Sequence, residues 1–165
     1  MGYRKNGEFL EGEEVLRIAS KVNPNDFVVY YNFAICCRKI GLVDESEEHL
    51  KTAMNIIATP ILVENMINRE MARTYEKQMK WEEAVALYQS ILKTDPSNLS
   101  VRMDALRIID YTLKDRKWAL KKYKEALHAL ETHSLDDHKQ KQLTKYFNRR
   151  IKKLQEEEFW SVEGE

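Results

Sequence analysis

Apolar positions in this chain recur at helical spacing and are interrupted at regular distances by polar turns. From Asn65 to Asn98, Ala72, Tyr75, Ala84, Tyr88 and Pro96 stand as small, large, small, large and proline along two amphipathic stretches. Small residues suit places where two helices approach closely, and large ones fill the space beside them. Phe33, Ala34, Gly41, Leu50 and Ala53 repeat that order from Phe27 onward, and Leu16, Ala19 and Pro24 repeat its second half. Further on, Trp118, Ala119, Tyr123 and Ala126 echo Trp81, Ala84, Tyr88 and Ile91. A last stripe, Leu143, Phe147, Ile151 and Leu154, steps by four, four and three and predicts one long helix with a single apolar face. The pattern therefore predicts an all-α chain of about eight helices, over 7–22, 26–40, 44–58, 61–78, 81–94, 98–113, 117–132 and 136–158. One helix pair buries only one face by itself, so neighbours must stack as antiparallel pairs and the last helix serves as a cap.

The expected organisation is a single helical domain over 1–158, with a partial repeat at 7–24, repeats at 27–60, 65–98 and 99–132, a capping helix at 136–158 and an acidic tail at 159–165. The two central units start at Phe27 and Asn65, 38 residues apart. That exceeds a period of about 34 by about one helical turn. The excess falls at Ala58-Thr59-Pro60, where the proline opens one helix or closes the other. Because the partial repeat lacks its first helix, the chain is expected to begin within a repeat.

Composition agrees with the helical reading: 165 residues fit one domain, and 33% charged residues with only 5 Gly and 3 Pro leave little turn chemistry for a sheet. Cys36 and Cys37 are neighbours on a helix, where side chains diverge by about 100°, so neither an ordinary disulfide nor a CxxC metal site is expected. They read as buried thiols in a reducing compartment. No apolar run approaches the roughly 20 residues that span a bilayer, and the first residues lack a signal peptide's apolar core. A cytoplasmic location without membrane partners is expected.

The order of small, large and proline positions resembles that of tetratricopeptide repeats over about Gly7 to Leu130, most closely in the two central units. The resemblance implies an antiparallel helix-pair solenoid whose first helices line a concave groove. At the positions that face this groove in the family stand Val28, Tyr31, Ile35, Arg38 and Lys39, then Met66, Arg69, Arg73, Glu76 and Lys77, then Ser100, Met103, Arg107, Asp110 and Tyr111. Six of them are basic and two acidic. Stacked arginines can converge on phosphate or carboxylate with forked donors, and tyrosines add stacking faces or hydroxyls. Tyr31, Arg38, Arg69, Arg73, Lys77, Arg107 and Tyr111 are thus the candidate binders of an anionic ligand. The plainer reading is that some of these cations pair with Glu70, Glu76 or Asp104 within the fold. Family members that clamp the carboxylate tail of heat-shock chaperones use a set of Lys, Asn and Arg of which only Asn32 is matched here, so that ligand is not expected.

Catalytic chemistry has no foothold: there is no glycine-rich loop, HExxH, GxSxG or cysteine in a triad context. His128, His133 and His138 are spaced by five, which misaligns them on a helix, and no metal or cofactor site is expected. The pairs Glu13-Glu14, Glu47-Glu48 and Glu82-Glu83 read as helix starts that favour the positive end of the dipole. The total charge is zero, yet Val101 to Lys153 holds 15 Lys and Arg against 7 Asp and Glu, while the remainder holds 12 against 20. Lys145, Arg149, Arg150 and Lys153 give the last helix a basic character suited to a nucleic-acid backbone or an acidic partner.

The same stretch is similar to the C-terminal part of the interferon-induced proteins with tetratricopeptide repeats. Met71-Ala72-Arg73-Thr74-Tyr75, the run Ala119 to Leu127 and the basic helix through Arg149-Arg150 carry the likeness. It implies RNA binding, self-association and a place in antiviral innate immunity. Two functions follow as expectations. The first is a non-catalytic scaffold that takes a partner protein or peptide in a basic groove; the alternative is an RNA-binding module using the same arginines with Lys145, Arg149 and Lys153.

Overall fold

The computed structural model describes residues 2–56, 61–132 and 137–162. They form eight α-helices: α1 (Gly2–Val22), α2 (Phe27–Ile40), α3 (Val43–Ile56), α4 (Ile61–Lys77), α5 (Trp81–Thr94), α6 (Leu99–Arg107), α7 (Arg116–Thr132) and α8 (Asp137–Val162). No strand occurs among the described residues, and no helix there is long and apolar enough to cross a membrane. The expected four-residue excess at Ala58–Pro60, a cap at Asp136 and the loop at His133 lie outside the described residues.

Packing divides the chain into two compact units, Met1–Ile91 and Leu92–Glu165. In the first, α1 packs on α2, α2 on α3 and α3 on α4. Its centre is Ala34, Leu50, Ala53, Ile67 and Met71, with Phe27, Tyr30, Tyr31, Met54, Val63, Tyr75 and Leu87 against it. The small positions of the repeat, Ala34, Ala53, Ala72 and Ala84, are all fully buried, which is what close helix approach requires. Each large side chain buried beside them contributes about 1.5–3 kcal/mol. One polar peg runs through this core. The buried Ser46 hydroxyl donates to the Ala34 carbonyl at 2.9 Å and sits 3.0 Å from the Thr74 hydroxyl, joining α2, α3 and α4.

In the second unit α6 and its last turn pack on α7, and α7 packs on α8. Tyr123, Ala119, Ala126 and Leu130 of α7 are buried, as are Phe147 and Leu154 of α8. Tyr123, Tyr146 and Phe147 form a ring cluster with centroids 5.7–6.2 Å apart.

Helix ends follow local chemistry. Asp26, Asn98 and Asp115 cap α2, α6 and α7 by accepting the backbone N–H of Val28, Val101 and Trp118 at 2.9, 3.2 and 2.9 Å. Three first helices stop on a left-handed residue: Gly41 at φ 95°, Met79 at φ 61° and Lys114 at φ 55°. Two expectations need correction. The helix expected over 98–113 ends at Arg107 and continues as one π-helical turn, Ile108–Thr112, in which the Leu113 N–H reaches the Ile108 carbonyl at 2.9 Å. The carboxylate pairs expected at helix starts hold that place only at Glu82-Glu83: α1 begins at Gly2, so Glu13 and Glu14 lie mid-helix and Glu13 binds Arg17 one turn on, and α3 opens with Asp44 and Glu45 in its first turn, so Glu47 and Glu48 fall past it.

Candidate functional site

Within the first unit, α2 and α4 gather Tyr31, Arg38, Arg69 and Arg73 into one neighbourhood, where Glu70 binds two of them. Glu70, almost wholly buried on α4, accepts from Arg38 of α2 at 2.7 Å and from Arg73 on its own helix. Tyr31 is half-buried beside them: burial raises its pKa, Glu70 adds to the rise, and Arg73, Arg38 and Arg69 oppose it. A charge pair taken out of water persists only when its hydrogen bonds are well made, and a bidentate acid between two guanidiniums meets that need. Arg38 and Arg73 therefore answer to the plainer sequence reading, cations held within the fold by Glu70. Lys77 at the end of α4 is exposed. Glu76, placed among the groove-facing positions, accepts the Tyr88 hydroxyl at 2.7 Å.

The second unit joins two features that were separate in the sequence. Tyr111 of the π-helical turn meets Arg149, Arg150 and Lys153 of α8, and with Tyr146 they line a hollow of about 220 Å³. An adjoining hollow of about 300 Å³ adds Asp110, Lys114, Arg116 and Glu157 to its wall. Arg107 and Lys145 are exposed and do not belong to either lining.

Asp110 organises this place. Its carboxylate is buried and accepts both ends of the Arg150 guanidinium, Nε at 2.6 Å and Nη2 at 2.5 Å, together with the Tyr123 hydroxyl at 3.0 Å. The hydrogen bond from Arg150 to Asp110 raises the guanidinium's pKa against the cost of burial. Burial is the main reason the Tyr123 hydroxyl also titrates far above its ordinary value, with the bond to Tyr146 adding to it. Arg150 in turn lies over the Tyr111 ring, 5.5 Å from its centroid. Glu157 stands 3.6 Å from both Arg150 and Arg116 and 3.9 Å from Lys153. Around this neutralised centre Lys114, Arg116, Arg149 and Lys153 are exposed. Four cations facing one partly exposed acid and two tyrosines can hold an anionic group against an aromatic wall.

Asp110 was placed among the groove positions by the repeat, but its role as the seat of Arg150, 40 residues on, carried no sequence signal. An aspartate set directly after the apolar pair Ile108-Ile109 points at most to burial, and burial of an acid calls for a cationic partner without naming it.

The sequence matches no family model and no curated protein. Solved structures do share the fold. A crystal structure of MamA superposes with TM-score 0.63 at 16% identity over 97% of this chain and 94% of that one. A second MamA, from AMB-1, gives 0.63 at 20% identity over 92% and 78%. BtubC (BKLC) from P. vanneervenii gives 0.65 at 20% identity over 92% and 70%. At these identities the likeness speaks for architecture, and the architecture is the all-α, tetratricopeptide-like helical repeat. These structures lend no support to the resemblance to the interferon-induced proteins.

Proposed function

We propose that this tetratricopeptide-like chain is a non-catalytic interaction scaffold, and that it receives an acidic segment of a partner protein at the basic, tyrosine-lined hollow of its second unit. The observation that carries this reading is the convergence of Tyr111, Tyr146, Arg149, Arg150 and Lys153 on one concave surface, with Lys114 and Arg116 beside it. Arg150 is fixed by Asp110, so the hollow keeps its shape without a ligand, and pre-organisation reduces the ordering cost of binding. Tyrosine and arginine are also the side chains that dominate protein interfaces. Arg38 and Arg73, by contrast, are engaged by Glu70, which makes the face of α2 and α4 the weaker candidate.

A fluorescein-labelled, glutamate-rich peptide titrated into the full chain tests the reading by anisotropy. Binding is expected to weaken about tenfold in an Arg149→Glu, Lys153→Glu double variant, both sites being exposed, while a lysine-rich peptide does not bind. Failure of the acidic peptide to bind at low salt, together with tight and steeply salt-dependent binding of a labelled single-stranded RNA, would sink the scaffold reading in favour of nucleic acid.

A further inference from the structure

We propose that Cys37, Glu45 and His49 form a site for a borderline divalent ion, Zn²⁺ foremost, clamping the α2–α3 hairpin of the first unit. The three donor atoms lie within 4.8 Å of one another. Cys37 and Glu45 each stand four residues from Gly41, on opposite arms of the hairpin, so its antiparallel arms bring them level. Glu45 and His49 are four residues apart on α3, which sets both on one face one turn from each other. Thiolate, imidazole and carboxylate are a zinc-type donor set, and three of them leave a fourth position for water or for a donor brought by a partner.

The surroundings leave these donors available. Among the described residues neither the Cys37 thiol nor the His49 imidazole has a hydrogen-bond partner, although Cys37 is fully buried. His49 is held in place by its ring, stacked on Phe33 at 3.8 Å and tilted against Tyr30 at 6.0 Å. The Cys37 thiol is pushed up to about 12 by burial and by Glu45, so an entering ion has to displace its proton. Tetrahedral zinc places its donors about 3.3–3.7 Å apart. The present separations, up to 4.8 Å, leave roughly an ångström to close, a movement within reach of side-chain rotation at the partly exposed Glu45 and at its two fellow donors. The competing cation is Arg17. It stands 3.5 Å from Glu45, but its hydrogen bonds go to Glu13, so Glu45 is its secondary partner. Cys36 faces away, toward Gly12, and serves as an internal control.

Cobalt(II) is the probe, added to the full chain without an affinity tag and under a non-thiol reductant. The expected result is a 1:1 complex with tetrahedral d–d absorption and a thiolate-to-cobalt charge-transfer band, both bleached by Zn²⁺. The band should survive Cys36→Ser and vanish in Cys37→Ser. Glu45→Gln should weaken cobalt binding about tenfold or more, and Arg17→Ala should tighten it several-fold by removing the competitor. Helical circular dichroism reports whether each variant folds; if Cys37→Ser does not, the Glu45 and Arg17 variants decide. No charge-transfer band from the folded chain, a band that depends on Cys36, or cobalt affinity indifferent to both Glu45 and Arg17 would overturn the site.

Discussion

Glu70 shows how one side chain can sort a row of like charges. It lies between Arg38 and Arg73 with little solvent to share the load, and Arg69 is close enough to act on Tyr31 beside it. Replacing it with Gln keeps the shape but leaves a buried guanidinium, Arg38, without its counter-charge. Removal of one partner from a buried pair costs about 3–5 kcal/mol, and Glu70→Gln is expected to lower stability in urea by an amount near the bottom of that range, because Arg73 is partly exposed. A midpoint unchanged within error would show that the pair contributes nothing. Glu47 makes a second residue-scale prediction. Burial pushes its pKa up, but hydrogen bonds from Lys51, Gln78 and Lys80 overcome that and hold it at about 2. A carboxylate whose folded pKa lies below its unfolded value stabilises above the unfolded pKa of about 4.3 and loses that contribution as pH falls toward 2. Unfolding monitored between pH 5 and 2 should therefore show a steeper acid loss in the parent chain than in Glu47→Gln. The opposite order would rule out Glu47 as a source of acid sensitivity.

Helices were largely legible from the sequence, because periodicity reports which face is buried, and burial at Ala34, Ala53, Ala72, Ala84, Ala119 and Ala126 follows that face. The π-helical turn was not. Its extra residue leaves the apolar run Ile108-Ile109 intact, so a period of 3.6 passes over it without a mark. The basic hollow was half-visible: Tyr111 and the α8 cations were each singled out, but a repeat register says which way a residue faces, never which residue 40 positions away it meets. The metal-type trio was invisible for a like reason, its thiol and imidazole standing on different arms of a hairpin. Helix stops carry the element-scale prediction. Met79 holds a left-handed backbone that costs a non-glycine residue about 1–2 kcal/mol, and its side chain is largely exposed, with little packing to lose. Met79→Gly should raise the urea midpoint by an amount worth about 0.5–1 kcal/mol. A fall would mean that the side chain contributes more than its exposure indicates.

For the chain as a whole, zero net charge hides a local surplus of Lys and Arg between Val101 and Lys153. A partner approaching within about 8 Å in physiological salt senses that neighbourhood and not the total. The chain should accordingly be retained by an immobilised polyanion such as heparin and elute at modest salt, and Arg149→Glu with Lys153→Glu should abolish retention; retention that survives would locate the attraction elsewhere. Glu157, already in contact with Arg150, Arg116 and Lys153, gives this surface a further property. It is a resident counterion, and the acidic segment proposed for this hollow has to compete with it for the same cations. Glu157→Gln should therefore strengthen binding of the glutamate-rich peptide by freeing cations that are already neutralised, and an unchanged affinity would show that Glu157 does not compete there.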